Sequence, residues 1–431
     1  MDIVIAGAGV GGLAAALSLE AAGLREVRIM EAASEFRPLG VGLNILPNAV
    51  RELTELDVFA AVAAQAVPTA ELAFFHRSGS LIWSEPRGLE AGYRWPQVSL
   101  SRIHLIRVLR EAVMRRLGPT AIQTDARVSE VLPLAHGRVR VRLEHRHASR
   151  TTSIETDLLI GADGLHSTVR THFAPAEGDP CSNGMMMWRG TTWARPYLTG
   201  RTMTVIGDDE KKFVTYPIIP PTEPHGLALL NWVTGRPAGP TVARDLKSRR
   251  VQALEQFGGW QVPWLDISML ITKATSILEY PMLDRDPLPR WVSGRVVLLG
   301  DAAHPMFPVG SNGATQAIVD GRVLAHALAT HSSVDEALAY YERERLPAMT
   351  KLQQTNRRMG PERMIDIVHR LAPTGFARVE DVISREELER VSAEYAEIGG
   401  FTPATLNSRP SYTVLPRSLP GGRWSGGRHH D

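Results

Sequence analysis

The chain has 431 residues, 44% hydrophobic and 22% charged, enough for two or three domains around a large core. Its 48 basic and 46 acidic residues leave a formal net charge of +2, which argues against nucleic acid as the main partner. A single cysteine, Cys181, excludes an internal disulfide and a thiolate metal cluster, and no apolar run approaches the ~20 residues of a membrane-spanning helix.

Residues 2–6 form a short apolar run that predicts a strand, with no leader-like segment before it, so the expected location is cytoplasmic. The turn Gly7-Ala8-Gly9-Val10-Gly11-Gly12 follows, then a predicted helix over 13–22 stopped by Gly23. A second strand over 26–30 runs into Glu31. Strand, glycine turn, helix, strand and acid in this order are the dinucleotide-binding fingerprint. Gly7 permits the tight turn, Gly9 lets backbone approach a pyrophosphate, and Gly12 lets helix and strand pack closely. The helix N-terminus offers free N–H groups to phosphates, and Glu31 can accept hydrogen bonds from a ribose diol. This unit alone does not separate NAD from FAD.

Residues 32–42 read as a loop in which Gly40 and Gly42 allow close approach to a ligand, and 43–58 as a helix. Strands are expected over 72–75 and 80–83, and a proline- and glycine-rich loop over 85–97. An amphipathic helix is expected over 101–117. Strands follow over 121–123, 126–133, 138–145, 151–155 and 157–160, the last ending at Gly161-Ala162-Asp163-Gly164. From 175 to 289 short β-rich segments (185–193, 202–206, 213–219, 227–234) alternate with proline loops and hold most of the tryptophans. This stretch reads as an inserted sheet domain with a helix at 245–257. A buried strand over 296–299 then meets Gly300-Asp301-Ala302-Ala303-His304-Pro305, followed by a loop to 313 and helices over 314–330 and 334–346. Residues 357–371 and 384–398 read as helical, and 400–431 as a flexible tail or an arm that packs on a partner.

Three strand ends therefore carry glycine and acid. Buried parallel strands deliver such residues to one sheet edge, where ligands bind. An NAD dehydrogenase needs only the first; a cofactor of longer reach would use all three. In this combination the chain, over roughly residues 1–352, resembles the single-component FAD monooxygenases of the para-hydroxybenzoate and salicylate hydroxylase type. Arg37 to Ile45, Trp83 to Gly88, Met187-Trp188-Arg189-Gly190 and Tyr280 to Pro289 further resemble its phenazine-modifying branch, which includes an oxidative decarboxylation of a methylphenazine carboxylate.

The resemblance implies an α/β fold: a Rossmann-like FAD-binding domain (1–71, 101–174, 290–355), an inserted β-sheet substrate domain (72–100, 175–289) and a helical C-terminal region (356–431). It implies FAD as cofactor, NADH or NADPH and O2 as co-substrates, and hydroxylation of a small aromatic or heteroaromatic acid through a flavin C4a-hydroperoxide, with or without decarboxylation. Cofactor contacts are expected from Gly7, Gly9, Gly11, Gly12, Glu31, Gly42, Arg102, Val128, Asp163, Asp301, Gly310, Asn312 and Gly313. Asp163 and Asp301 have helix capping as their alternative reading. Candidates for the substrate pocket are Met187, Arg189, Tyr216, Trp232 and Pro308, an arginine beside a flat apolar wall being suited to a carboxylated ring. No protein nucleophile or metal is required, and the histidines lack zinc-ligand spacing. His304 and His166 read as structural rather than as bases. Two rival classes share these motifs: a FAD oxidoreductase that does not hydroxylate, and a flavin-binding sensor without catalysis.

Overall fold

A computed structural model describes residues 1–36, 41–238, 245–398 and 402–414. Arg37 to Gly40, part of the expected ligand-approaching loop, and residues 415–431 of the expected tail lie outside the described residues.

A six-stranded sheet runs in the order Val292–Ser293, Val296–Leu298, Leu158–Gly161, Ile3–Ala6, Val27–Met30, Ile122–Gln123, parallel except at its first pair. Ala6 stands beside Gly161, and Gly161 beside Leu298. This register brings all three glycine-and-acid motifs out at one edge. The strands Val296–Leu298, Leu158–Gly161 and Ile3–Ala6 are buried on both faces, as their continuous apolar runs require. Helix Val10–Ala21 is apolar nearly all round because it lies inside the core, against Asn312–Thr330. The two helices touch where a Cβ on Gly321 would stand 2.8 Å from Ala15 Cα.

A seven-stranded sheet runs in the order Ile277–Asp284, Cys181–Ala194, Ala228–Pro237, Lys212–Ile219, Thr202–Gly207, Glu71–His76, Leu81–Pro86. Side chains alternate between its faces. On one face Trp188, Trp232, Phe213, Ile206 and Phe75 form a dry cluster with residues of helices Leu246–Phe257 and Ile267–Lys273. The other face looks partly toward the edge of the first sheet and is partly covered by the C-terminal helices. Leu72, Phe74 and Val205 pack there against Met364, Ile365 and Val368 of Arg363–Leu371 and Leu388 and Val391 of Arg385–Ile398.

A further three-stranded sheet of Gly42–Ile45, Gln97–Ser101 and Ala66–Thr69 corrects the expected single helix over 43–58 and the loop over 85–97. One face, with Ile45, Val98 and Leu100, joins the main core; the other is polar, where Asn44 Nδ2 donates to Ser99 Oγ at 2.7 Å and the Thr69 and Ser99 hydroxyls are 2.8 Å apart. The period-2 alternation of Val98 and Leu100 with Gln97, Ser99 and Ser101 is the strand signal that the loop reading passes over. The helix here is Pro47–Glu55, with the proline at its first turn. The strands expected there are present as Arg127–Pro133, Val139–His145 and Arg150–Thr156, and they form an antiparallel meander.

Helix Val334–Arg357 continues through Pro347, where the sequence predicted a stop. Proline removes one hydrogen bond there, but Met349, Leu352, Gln353 and Asn356 remain buried beyond it, and tertiary burial outweighs the local loss. Residues 402–414 pack on this chain. Arg51 Nη1 donates to Leu406 O at 3.1 Å and Arg409 O at 2.8 Å, and Ser411 Oγ to Glu55 at 2.7 Å. Among the described residues no helix is long and apolar enough to cross a membrane.

Candidate active site: a two-ended cleft

The first motif shows why each glycine is there. Gly7 has φ 98°, and a Cβ on it would stand 2.5 Å from Ala162 O. A Cβ on Gly12 would overlap the carbonyl oxygen of Gly7, so only glycine lets helix and strand meet. Gly11 faces Leu299 and Ala317 at 3.0 and 3.2 Å. Gly9 is different: a Cβ on it would meet no protein atom within 4 Å. That space is cleft.

The cleft consists of two adjoining cavities of about 260 and 320 Å³, with Gly9, Arg102, Ala162 and Gly164 common to both. Gly7, Glu31, Val128, Asp163 and His166 line the smaller. Gly11, Gly42, Asp301, Pro308, Gly310, Asn312, Gly313, Arg189 and Tyr216 line the larger. Arg102 opens helix Arg102–Leu117 at the junction, its backbone N–H donating to Val41 O at 2.9 Å. One elongated groove thus joins the three strand-end motifs to the inserted sheet.

At the first end, Glu31 is fixed by backbone: its carboxylate accepts from Ala8 N and Ala33 N, each at 2.8 Å. Asp163 lines the groove, yet its carboxylate accepts from Ser167 Oγ at 2.5 Å, Thr168 N at 2.8 Å and Val169 N at 3.2 Å. Burial raises its pKa, and these hydrogen bonds oppose the rise. Its carboxylate therefore holds its own turn and the start of Thr168–Thr171, the capping alternative.

At the third motif, Asp320 anchors the turn beneath Asp301. Its carboxylate accepts from Gly300 N at 2.9 Å, His304 Nε2 at 2.6 Å and Arg345 Nε at 2.7 Å. Burial would raise its pKa, but His304, Arg345 and these bonds outweigh burial and hold it down to about 2. His304 is thus a fully buried structural partner. Asp301 itself opens onto the groove. Desolvation by the surrounding groove walls raises its pKa, with His304 and Arg102 opposing and Asp320 reinforcing the rise.

Gly310 and Ser311 are both left-handed, at φ 67° and 61°, and they turn the chain into helix Asn312–Thr330. Asn312 is 1% exposed. Its Nδ2 donates to Gly310 O at 3.1 Å and Tyr395 Oη at 2.8 Å, so its side chain braces the loop from behind. Tyr395 Oη is 2.9 Å from Asn356 Oδ1, and Asn356 Nδ2 donates to Val309 O at 3.2 Å. Tyr395 and Asn356 escaped the sequence reading. The signal available was a polar-tipped aromatic on the otherwise apolar stripe Leu388, Val391, Tyr395. A Cβ on Gly310 would overlap Tyr395.

The pocket candidates separate by strand face. Arg189 and Tyr216 point into the larger cavity beside Val214, Val233 and Met203, with Pro308 across from the sheet. No described residue accepts a hydrogen bond from the buried Arg189 Nε. Burial raises the Tyr216 pKa, Arg189 opposing. Trp232 corrects the expectation: it is fully buried on the opposite face, stacked on Phe213 at 5.9 Å, with Nε1 donating to Thr192 Oγ1 at 3.2 Å. Its neighbour Val233 occupies the cavity face instead. Met187 shares the face of Arg189 but packs against Met282, Phe307 and Val309, behind the cavity wall. A further cavity residue, Glu362, comes from the C-terminal region and had no periodic or motif signal. No group of three or more His, Cys, Asp or Glu among the described residues has metal-holding geometry.

The groove fits an extended dinucleotide: glycines without protein contacts where a ligand backbone passes, a helix N-terminus beside them, and acids at intervals along it. A family model described as FAD binding domain matches residues 1–356. Phenazine 1,6-dicarboxylic acid hydroxylase PhzS of Lysobacter antibioticus is 44% identical over 368 residues, covering 83% of this chain and 89% of that protein. 3-Amino-4-hydroxybenzoate 2-monooxygenase PtmB3 of Streptomyces platensis is 31% identical over 421 residues, covering 94% and 98%. The solved structure of Klebsiella pneumoniae HpxO complexed with FAD and uric acid shares the fold, with TM-score 0.73 at 23% identity over 95% of this chain and 97% of that one. The chain belongs to the FAD binding domain family and is a FAD-dependent aromatic monooxygenase, with NAD(P)H and O2 as co-substrates.

Proposed function

We propose that this chain hydroxylates a fused nitrogen-heteroaromatic acid of the phenazine carboxylate class. The observation that carries this reading is Arg189: a guanidinium that lines the cavity on the inserted sheet, in no ion pair with any described carboxylate, over an apolar floor. A planar guanidinium in that setting recognises a carboxylate. The 44% identity to a phenazine dicarboxylic acid hydroxylase supports the ring system. FAD, when bound, takes a hydride from the nicotinamide and delivers one oxygen atom of O2 to an electron-rich ring.

The chain's residues position and shield these groups. Glu31 receives the ribose diol, and the backbone at Gly9 and the following helix N-terminus receive the pyrophosphate. The Val128 backbone faces the adenine, and Arg102, at the junction of the two cavities, balances phosphate charge. Asp301 takes the ribityl–pyrophosphate segment. The backbone N–H groups of Gly310 to Gly313 face the flavin ring and stabilise negative charge on it, as an oxyanion hole does. Tyr395 and Asn312 hold that loop rigid. Arg189 holds the substrate carboxylate, Tyr216 hydrogen-bonds the ring, and Pro308 closes the cavity against water.

Purified enzyme with NADH or NADPH and heavy-isotope O2 should show phenazine 1,6-dicarboxylate accelerating nicotinamide oxidation, with one heavy oxygen atom per product. Turnover of 3-amino-4-hydroxybenzoate but of no phenazine acid overturns the substrate class. Accelerated oxidation with unlabelled product favours the non-hydroxylating oxidoreductase.

A further inference from the structure

Glu362 lines the larger cavity together with Arg189, and the role inferred for it rests on the phenazine acid reading. Glu362 closes the 3-10 turn Gly360–Glu362, beyond the residues the family model matches. Met359 and Gly360 before it are both left-handed, at φ 64° and 47°. A Cβ on Gly360 would stand 2.9 Å from the Tyr395 ring and 3.1 Å from Val309. The turn is thus clamped between helix Arg385–Ile398 and the loop that faces the flavin, in a conformation only its surroundings sustain. Glu362 is fixed by this clamp.

The sheet order sets the span. Arg189 lies on the second strand and Met203 on the fifth, three strand spacings or roughly 14 Å apart. Glu362 lies over the fifth and sixth strands, where it also lines a small adjoining pocket with Met203, Val205, Leu72 and Phe74. Val233, Val214 and Met203 form an apolar floor between the two ends.

The Glu362 carboxyl makes no hydrogen bond to any described residue. The charged and titratable groups around it come from every neighbouring element. Lys212 on Lys212–Ile219 is committed to Asp366 at 2.5 Å and to the Asp208 carbonyl. Asp366 lies on Arg363–Leu371 and Tyr395 on Arg385–Ile398, Arg87 is paired with Glu85, and Arg189 faces the same cavity. Burial pushes the Glu362 carboxyl up to about 7, Lys212 opposing and Asp366 adding to the rise. A carboxyl so placed still carries its proton at neutral pH in an appreciable fraction of molecules, and a nearby anion increases that fraction.

We propose that Glu362 is a specificity-determining residue: its protonated carboxyl donates a hydrogen bond to a second carboxylate on the ring edge remote from the one Arg189 holds. The cavity is thereby built for an aromatic diacid. A monoacid leaves Glu362 unused. Above the Glu362 titration the two negative charges repel and diacid binding falls.

The test is a binding titration of the FAD-loaded enzyme at pH 6 and pH 8.5, read by the flavin absorbance change, with phenazine 1,6-dicarboxylate and phenazine-1-carboxylate. The wild type should bind the diacid at least about tenfold more weakly at pH 8.5, with the monoacid changing less than about twofold. Glu362→Gln keeps a donor and should retain diacid binding while losing the pH dependence. Glu362→Ala should lose the diacid preference by about tenfold or more and leave monoacid binding intact, which also shows that the variant folds. An unchanged diacid-to-monoacid ratio and pH profile in Glu362→Ala overturns the role of Glu362 while the phenazine acid reading stands. If neither acid binds the wild type, that reading falls and this proposal with it.

Discussion

The two ends of the cleft are made of different material. At the Glu31 end the working surface is backbone: glycine turns, a helix N-terminus, and an acid held by two backbone N–H groups. At the Arg189 end it is side chains delivered from separate strands, the Pro308 loop and a C-terminal turn. Such a backbone surface tolerates little change: a methyl group at Gly7 or Gly12 collides with main chain, and one at Gly9 enters the space left for the ligand. Side-chain surfaces can be rewritten one residue at a time without disturbing the sheet beneath. A common cofactor end and an adaptable ring end are what a family with one cofactor and many ring substrates requires.

The strongest way to break this contrast is at the glycines. Gly12→Ala should cost about 3 kcal/mol or more in stability and yield colourless protein, because its Cβ would overlap the Gly7 carbonyl. Gly9→Ala should instead leave the melting temperature of flavin-free protein unchanged and weaken FAD binding about tenfold or more, since its Cβ would enter only the cleft. Equal loss of stability in both would erase the distinction between packing glycine and ligand glycine. At the other end, Arg189→Ala should raise KM for an aromatic acid about 30-fold, or about 2 kcal/mol, and leave KM for its methyl ester nearly unchanged. Glu31→Ala should weaken FAD binding by about 1–3 kcal/mol without moving substrate affinity, as read by flavin fluorescence on dilution.

Trp232→Phe sharpens the comparison between sheet faces. It should destabilise the fold by about 1–2 kcal/mol in urea unfolding and leave KM unchanged, because Trp232 points away from the cavity. A further effect appears only at high pH. Glu362 has a raised folded pKa, so its favourable contribution is complete below its unfolded pKa near 4.5 and is lost as pH rises through about 7. Glu362→Gln should therefore stabilise the flavin-free protein at pH 8 by about 2 kcal/mol, discounted for its exposure to the cavity, and by little at pH 4. Asp320 has the opposite sign. Its contribution is present above about pH 4 and is lost as pH falls toward about 2.

Legibility in the sequence follows the same division. The three strand ends were readable because parallel strands buried on both faces are continuous apolar runs, and their register carries Gly7, Ala162 and Gly300 to one edge. The strand Gly42–Ile45 was not, because four residues running straight into the helix Pro47–Glu55 are too few to show a period of their own, and one of its buried positions is the polar Asn44, bonded to Ser99 and Gln97. Trp232 reads as a pocket wall in the sequence because sequence gives the period of a strand but not which face meets which neighbour. A single-residue shift in that choice separates it from Val233. Tyr395 and Glu362 were invisible for another reason. Glu362 reaches the cleft on a left-handed turn and Tyr395 braces the loop behind it from a helix, and both placements depend on tertiary packing some 50 residues and more beyond the third motif.

The most direct test of the account is a pair of dissociation constants measured on Arg189→Ala: one for FAD with the flavin-free protein, one for phenazine 1,6-dicarboxylate with the FAD-loaded protein. The two-ended cleft predicts an FAD constant within about twofold of wild type and a substrate constant at least about tenfold higher. Weakened FAD binding with unchanged substrate affinity would contradict it.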